Sequence, residues 1–356
     1  MSERPKQQVR NAGPGGVSAA DGLDSGRLAR FLVGRLDGFS GPLEVERIHG
    51  GQSNPTYLLH ASGRRWVLRK RPPGELLPSA HLIDREYRVM SALAGSDVPV
   101  PAMRLFCDDV EVLGTTFYVM DFAEGRILRS ASLPEVPREA RAAHYDAMNA
   151  TLARLHALDP AALGLADYGK SGDYFGRQIA RWSKQYRASC SSPIGAMEAL
   201  LDWLPHHIPA DASTALTHGD YRIDNLVFHP REPRVVALLD WELSTLGHPL
   251  ADIAYNCLAW HLPENGLVAG GLEGTNLADL GIPGEREYLA SYCERTRRAE
   301  VPGWPFYLAF SFFRLAAIAS GIAARALRGN ASAGNAALVG AFAGELAARG
   351  QRQTTG

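Results

Sequence analysis

The chain has 356 residues, of which 46% are hydrophobic and 21% charged, so it can bury a sizeable core. Its formal net charge of −1 excludes non-specific nucleic-acid binding, which needs a basic surface, and we expect no nucleic-acid partner. The four cysteines are far apart and form no C-x-x-C pair, which argues against a zinc site and a disulfide framework.

The N-terminal sequence lacks the apolar segment of a signal peptide. The most apolar long stretch, residues 306–326, is interrupted by Arg314 and ended by Arg325, so it predicts a core helix and not a membrane span. We therefore expect a cytoplasmic protein with no membrane partner. The sequence does not indicate an oligomeric state.

The first third of the chain predicts a small, mostly antiparallel sheet. Residues 1–24 are rich in Gly, Gln, Ser and Ala and predict a disordered tail. A helix is expected at 25–36 and another at 79–94. Short strands are expected at 43–48, 56–60, 65–70, 104–107 and 115–122. Residues 25–122 are therefore interpreted as an N-terminal lobe.

After Gly125 the hydrophobic pattern becomes helical, and residues 123–350 predict a larger C-terminal lobe. Helices are expected at 139–157, 175–188, 195–204, 250–261, 285–297, 305–327 and 333–349. The exceptions are two short strands, at 226–228 and 235–239. A strand-rich lobe followed by a helical lobe places the fold in the α+β class.

The strongest chemical signal is H-G-D-Y-R-I-D-N at residues 218–225, followed by L-L-D-W-E at 238–242. Its Asp-to-Asn spacing matches the protein-kinase catalytic loop. Phosphoryl transfer needs a carboxylate that accepts the proton of the acceptor hydroxyl, and hard oxygen ligands that hold Mg²⁺ against the nucleotide phosphates. We therefore predict Asp220 as the catalytic base, and Asn225 and Asp240 as the metal ligands.

These motifs resemble the aminoglycoside phosphotransferase family, the small-molecule branch of the kinase-like fold. L-G-H-P-L-A-D-I-A-Y at 246–255 fits the same family. V-L-R-K-R-P-P-G at 67–74, P-S-A-H at 78–81 and R-E-Y-R at 85–88 are similar to one subgroup. That subgroup comprises kinase-like domains fused to acyl-CoA dehydrogenases in animals, and their free-standing bacterial relatives. The resemblance implies a two-lobed kinase-like fold, ATP as phosphoryl donor and Mg²⁺ as cofactor.

The resemblance also implies nucleotide-binding roles in the N-terminal lobe. On the strand at 65–70, Arg69 takes the place of the kinase lysine that contacts the α and β phosphates. Strand alternation puts Val67 and Arg69 on one face and Lys70 on the other, although the choice between Arg69 and Lys70 stays open at this point. Glu86, in the following helix, is the implied ion-pair partner of the cation.

Two further segments carry nucleotide contacts by the same resemblance. The loop G-G-Q-S-N at 50–54 replaces the kinase glycine-rich loop, and the backbone at Gly51 together with Ser53 would reach phosphate oxygens. Y-V-M-D-F at 118–122 corresponds to the hinge, where the backbone from Asp121 to Ala123 would hydrogen-bond the adenine.

Three other residues near these motifs carry weaker interpretations. His218 is expected to brace the catalytic loop. Asp252 is expected to cap or brace the helix that follows it. Glu242 is open between a second metal contact, a substrate contact and a surface charge.

Three functions remain open. The leading one is a Mg-ATP-dependent kinase of a small-molecule hydroxyl, for which the subgroup suggests a hydroxyacyl-CoA. The second is an antibiotic O-phosphotransferase acting on a polycation such as an aminoglycoside. Residues 261–356 contain eight acidic residues and nine arginines, a balance that suits an anionic acceptor better. The third is a nucleotide-binding pseudokinase, which the presence of Asp220, Asn225 and Asp240 argues against.

Overall fold

The protein is described by a computed structural model that covers residues 17–19, 23–48, 54–72, 83–190, 192–264, 270–327 and 336–355. It forms two compact units. The N-terminal unit comprises Met1–Ile127 together with Leu226–Glu242, and the C-terminal unit comprises Leu128–Asn225 together with Leu243–Gly356.

A six-stranded antiparallel sheet dominates the N-terminal unit, with strand order β1-β2-β3-β4-β6-β5. Its strands are β1 (Val17–Ala19), β2 (Glu44–Ile48), β3 (Thr56–Ala61), β4 (Arg64–Lys70), β5 (Met103–Cys107) and β6 (Phe117–Asp121). Three helices belong to the same unit: α1 (Ser25–Leu32), α2 (Ile83–Leu93) and α3 (Val110–Leu113).

The hydrophobic core of the N-terminal unit explains the orientation of β4. Trp66 and Leu68 belong to one buried cluster, which also contains Leu28 and Leu32 of α1. Because successive side chains of a strand point to opposite faces, Val67 and Arg69 lie on the other face of the sheet. The register of β4 therefore directs Arg69 away from this cluster.

A second, three-stranded sheet in the N-terminal unit is built from distant parts of the chain, in the order β10-β9-β7. Its strands are β7 (Arg126–Ile127), β9 (Leu226–Phe228) and β10 (Val235–Leu238). The predicted C-terminal lobe of 123–350 included this hairpin. The structure places it in the N-terminal unit, because β9 pairs with β7 and the Leu238 amide donates to Pro99 O at 2.8 Å.

The predicted disordered tail of residues 1–24 also differs from the structure in part. Residues Val17, Ser18 and Ala19 pair with Ile48, Arg47 and Glu46, which makes β1 the edge strand of the large sheet. Asp24 then caps α1 by accepting the Arg27 amide at 2.8 Å. Residues 1–16 and 20–22 lie outside the described part of the chain.

The C-terminal unit is mainly helical. Its helices are α4 (Arg138–Ala157), α5 (Tyr174–Ser189), α6 (Gly195–His206), α7 (Pro249–Cys257), α8 (Leu277–Leu280), α9 (Glu285–Thr296), α10 (Trp304–Leu327) and α11 (Ala336–Arg352). Short 3-10 helices span Ile223–Asn225 and Leu258–His261, and another spans Trp241–Leu243 at the boundary of the units. Two short strands, β8 (Ala215–Thr217) and β11 (Thr245–Gly247), pair antiparallel.

Helix α10 is the one described helix that is long and apolar enough to cross a membrane, over Trp304–Ala324. By that test alone it could be a membrane span. However, 83% of its most apolar segment is buried inside the structure, which is typical of a core helix. The prediction of a core helix at 306–326 agrees with this burial.

Candidate active site

The catalytic loop begins where β8 ends, at His218. Gly219 has φ +82°, and a Cβ at this position would lie 2.5 Å from the Leu243 carbonyl oxygen, so only glycine fits without displacing backbone. The His218 side chain accepts the Asp220 amide through Nδ1 at 3.2 Å. The glycine conformation and this hydrogen bond together fix the backbone at Gly219 and Asp220. His218 thereby braces the loop.

Asp252 holds the same loop from helix α7. Its carboxylate accepts the His218 amide at 2.6 Å and the Gly219 amide at 2.8 Å. Asp252 therefore braces the catalytic loop and not, as expected, the helix. The residue that caps α7 is His248, whose side chain accepts the Leu250 amide.

Behind Asp252 lies a buried pair that the sequence did not suggest. His156 Nε2 is 3.3 Å from Asp252 Oδ2, and His156 Nδ1 is 2.7 Å from the Tyr292 hydroxyl. The side chains of His156 and Asp252 are each only 2% exposed. Helices α4, α7 and α9 are thus linked by hydrogen bonds to the catalytic loop.

Asp220 is surrounded by groups that favour its charged form. The Asn225 amide nitrogen donates to the Asp220 backbone oxygen at 2.8 Å and to its carboxylate at 3.1 Å. Burial alone would raise the pKa of Asp220, but Arg222, the hydrogen-bonding Tyr255 hydroxyl and His218 hold it below its ordinary value. Asp220 is therefore a carboxylate at neutral pH, as a general base must be.

Arg314 of α10 also contacts the catalytic loop, a role that its position in an apolar stretch only hinted at. Its side chain is buried, and its guanidinium donates to the Gly219 carbonyl oxygen. The guanidinium carbon lies 5.2 Å from the centre of the Tyr255 ring and 5.6 Å from that of Trp182, within cation–π range. Arg314 thereby joins α10 to the loop that carries Asp220.

In the N-terminal unit, Arg69 is the centre of a carboxylate cluster. Its guanidinium lies 3.0 Å from both Glu86 and Asp240, and 3.8 Å from Glu242. Burial by itself lowers the pKa of Arg69, but Glu86 and Asp240 hold it well above its ordinary value. The predicted Arg69–Glu86 ion pair is confirmed, and Glu242 faces Arg69 as a third carboxylate.

Glu86 is fixed by two neutral hydrogen bonds as well as by the ion pair. Asn54 Nδ2 and the Tyr118 hydroxyl each donate to its carboxylate at 3.0 Å. Burial raises the pKa of Glu86 against the opposing effect of Arg69. Asn54 is the last residue of the 50–54 loop and the only one that the structure describes; Gly51 and Ser53 lie outside the described residues.

Lys70 has a different environment from Arg69. Its ammonium donates to the Leu113 carbonyl oxygen at 3.0 Å, and burial lowers its pKa. In contrast, Arg69 Nε is buried with no hydrogen-bond partner among the described residues. Arg69 therefore differs from Lys70 in its carboxylate partners and in having a buried donor that no described residue satisfies.

At the predicted hinge, the backbone is partly used by the sheet itself. The Asp121 amide donates to Ala102 O at 2.9 Å, and the Asp121 carboxylate pairs with Arg104. The Phe122 amide donates to Arg65 O at 3.4 Å. Contacts from the backbone of Asp121 to Ala123 to adenine remain a prediction.

The predicted metal ligands fit magnesium by their chemistry. Asn225 supplies an amide oxygen, and Asp240, two residues after β10, supplies a carboxylate from the left-handed conformation with φ +65°. Over the described part of the chain, no three His, Cys, Asp or Glu residues converge as a metal site. Asn225 and Asp240 each offer a hard oxygen of the kind that Mg²⁺ prefers, and this ion is usually bound by one or two protein oxygens together with substrate phosphates.

Comparison with known proteins gives the family. The family model for the phosphotransferase enzyme family matches residues 44–289. Acyl-CoA dehydrogenase family member 10 of Mus musculus is 48% identical over 310 residues, which are 87% of this chain and 29% of that protein. Acyl-CoA dehydrogenase family member 11 of Gallus gallus is 46% identical over 318 residues, 87% of this chain and 41% of that protein. The chain thus spans well under half the length of these relatives.

Solved structures agree on the fold. A Ralstonia eutropha protein named after the aminoglycoside phosphotransferases is 47% identical, with a TM-score of 0.84 over 93% of this chain and 98% of that one. Aminoglycoside phosphotransferase APH(4)-Ia, in ternary complex with ADP and hygromycin B, is 15% identical, with a TM-score of 0.60 over 92% and 99%. At that identity the second likeness shows the kinase-like fold alone. The chain belongs to the phosphotransferase enzyme family, as a small-molecule, kinase-like member.

Proposed function

We propose that this protein transfers the γ-phosphoryl group of Mg-ATP to the hydroxyl group of a hydroxyacyl-CoA. The observation that carries the proposal is the state of Asp220. Its carboxylate is held in the charged form, hydrogen-bonded to Asn225 and anchored through the backbone contacts of His218 and Gly219. A fixed, ionised carboxylate in this motif is what proton abstraction from an alcohol requires.

In the proposed reaction, the acceptor hydroxyl gives its proton to Asp220 while its oxygen attacks the γ phosphorus. The bond between that phosphorus and the bridging oxygen of ATP breaks, and ADP leaves with the electron pair. The hydrogen bond from Asn225 orients the carboxylate for this step. Most of the acceleration would come from positioning and from electrostatic stabilisation, as in other phosphoryl transfers.

Nucleotide binding is assigned to residues of the N-terminal unit. Arg69, fixed by Glu86 and with a buried, unpartnered Nε, would contact the α and β phosphates. The backbone at Gly51 and Ser53 would contact phosphate oxygens, and the backbone from Asp121 to Ala123 would bind adenine. Asn225 and Asp240 would hold Mg²⁺, which neutralises charge on the phosphates when bound.

The acceptor class rests on similarity and on charge. The relatives at 46–48% identity carry the acyl-CoA dehydrogenase name, and the chain spans a minor part of each. An acyl-CoA is an anion with an apolar chain, whereas an aminoglycoside is a polycation that needs converging carboxylates. Residues 261–356 contain eight acidic residues and nine arginines, a balance that suits the anionic acceptor better.

A coupled assay of ADP release tests the proposal. Purified protein would be screened with Mg-ATP against 4-hydroxyacyl-CoAs, kanamycin, choline and sugars, with the phosphorylated product identified by mass spectrometry. We expect turnover of a hydroxyacyl-CoA that Asp220→Asn reduces about 10²- to 10⁴-fold. The control Asp202→Asn changes an exposed carboxylate of α6 and should leave kcat unaltered.

Each alternative has its own result in this screen. Phosphorylation of kanamycin without activity on any thioester would replace the proposal with antibiotic phosphorylation. Binding of nucleotide with no turnover of any acceptor would indicate a pseudokinase module.

A further inference from the structure

An apolar pocket lies wholly within the C-terminal unit. It is contributed by α4, the catalytic loop, α7, the following 3-10 helix and α10. Its lining includes the apolar residues Met148, Ala259, Leu262 and Leu315, and the polar residues Arg222 and Tyr255. Among the described residues, Arg222 is the single charged side chain of this lining, and none of them contributes a carboxylate.

Two polar residues of the lining, Tyr255 and Arg222, join the pocket to the catalytic base. The Tyr255 hydroxyl hydrogen-bonds to the Asp220 carboxylate. Arg222 Nε lies 3.9 Å from Asp220 Oδ1 and is buried with no hydrogen-bond partner among the described residues. A donor left unpaired in this way costs free energy unless a ligand oxygen accepts from it.

Resting on the proposed function, we infer that this pocket binds the alkyl tail of the acceptor, beyond the carbon that carries the reacting hydroxyl. The CoA end of the acceptor carries several negative charges and is too polar to enter an apolar lining. The amines of an aminoglycoside do not suit this lining either, because it is mostly apolar and Arg222 is its charged member among the described residues. The remaining part of the acceptor is an uncharged carbon chain, which the lining of Met148, Leu262 and Leu315 suits.

If the pocket buries an alkyl chain, binding should strengthen steadily with the length of that chain. Each methylene group transferred from water into an apolar site is worth about a fourfold change in binding. We therefore expect kcat/KM of the wild-type protein to rise about fourfold for each carbon added to the tail, until the pocket is full. In terms of 4-hydroxyacyl-CoAs, the series runs from the pentanoyl compound, with a one-carbon tail, to the decanoyl compound.

Two substitutions change the pocket in opposite directions. Ala259→Leu adds a branched side chain from the half-buried 3-10 helix at Leu258–His261 and reduces the space. Leu315→Ala removes one from α10 and enlarges it. The matched control Ala143→Leu makes the same alanine-to-leucine change at an exposed position of α4, away from the lining.

The first measurement is kcat/KM along this thioester series. Ala259→Leu should lower the decanoyl value at least tenfold and leave the pentanoyl value within about twofold, since only the longer tail needs the lost space. Leu315→Ala should move the optimum to longer tails, and Ala143→Leu should match the wild type. Identical chain-length profiles for all four proteins would overturn the inference while leaving the proposed function standing.

The second measurement does not depend on turnover. Calorimetric titration of the wild-type protein with 2-butanol, 2-hexanol and 2-octanol measures binding of the tail with its hydroxyl alone. Affinity should increase with chain length in the wild type, and Ala259→Leu should remove that dependence. If no thioester is phosphorylated but this dependence is found, the proposed function fails and the tail site stands. Alcohol binding that ignores chain length or the variant would overturn the site itself.

Discussion

Asp252 Oδ1 accepts the backbone amide of Gly219 at 2.8 Å, across 33 residues of sequence. Through this bond, helix α7 determines the position of the loop that carries Asp220. The buried His156 on the other side of Asp252 restricts the carboxylate in turn. The orientation of the proposed base therefore depends on packing between helices as much as on the loop's own sequence.

Replacing Asp252 with asparagine should lower kcat and stability together. The amide has one acceptor oxygen in place of two, so one of the two backbone amides of His218 and Gly219 loses its partner. The loss of such a charge-assisted hydrogen bond costs about 1.5–3 kcal/mol. Chemical denaturation and steady-state kinetics would measure both effects. Unchanged kcat in a destabilised Asp252→Asn protein would show that the brace serves folding alone.

Asp240→Asn tests the proposed metal ligand. Asparagine tolerates the left-handed backbone at this position, so the substitution mainly removes the negative charge. We expect weaker binding of Mg-ATP and little change in the binding of ATP measured with EDTA present, because the lost ligand acts through the metal. Isothermal calorimetry with and without Mg²⁺ makes the comparison. Equal affinity for Mg-ATP in the variant and the wild type would contradict metal ligation.

Arg69 and Lys70 offer a matched pair of substitutions on one strand. Arg69→Leu should abolish measurable nucleotide binding and cost about 3–5 kcal/mol of stability, because it leaves the buried Glu86 carboxylate without its cation. Lys70→Met should cost only about 1 kcal/mol, the value of its hydrogen bond to Leu113 O, and preserve nucleotide binding. Fluorescence titration with a nucleotide analogue and urea denaturation would compare them. Loss of binding in Lys70→Met with binding retained in Arg69→Leu would reverse the assignment.

His248 makes stability depend on pH. Burial lowers the pKa of its imidazole from 6.5 to about 4 in the folded protein, where Nδ1 accepts the Leu250 amide. Since the folded pKa is below the unfolded one, the unfolded chain binds more protons between these values. Stability should therefore fall as the pH is lowered from 6.5 towards 4, by about 3 kcal/mol in all.

The control for His248 is a variant that keeps the helix cap without titrating. Asparagine is a good N-cap, so His248→Asn should be less sensitive to pH over this window than the wild type. His206→Asn, at the exposed end of α6, should retain the wild-type fall. Urea denaturation at half-unit intervals of pH would show it. Parallel curves for the wild type and His248→Asn would contradict the assignment to His248.

The longer elements could be predicted from the sequence because their own periodicity defines them. The helix expected at 139–157 is Arg138–Ala157, and the strand expected at 65–70 is Arg64–Lys70. Strand β9 has only three residues but was predicted at 226–228, because all three are apolar. Strands β8 and β11, with sequences A-L-T and T-L-G, have no such apolar run and were missed. They exist through pairing with each other, which the sequence does not reveal.

The candidate site also contains some contacts that the sequence predicted and others that only the folded structure reveals. The family resemblance implied an ion pair between the strand cation and Glu86, strand alternation favoured Arg69 as that cation, and the Arg69–Glu86 ion pair is present. Asp220 contacts its near neighbour Arg222 and the distant Tyr255, and Arg314 contacts Gly219. Packing, not the local sequence, brings these groups together. The one available signal was a charged residue, Arg314, inside an otherwise apolar helix. It indicated a special role without identifying the partner.

The sheet β10-β9-β7 also has a consequence for biosynthesis. Strand β7 ends at Ile127, but its partner β9 begins only at Leu226, after about a hundred residues of the other unit. At about 5–20 residues per second, a ribosome needs roughly 5–20 seconds to supply that partner. During this interval the nascent N-terminal unit lacks two of the three strands of this sheet. Chaperones that act on ribosome-bound chains would therefore have their greatest effect between the emergence of β7 and that of β10.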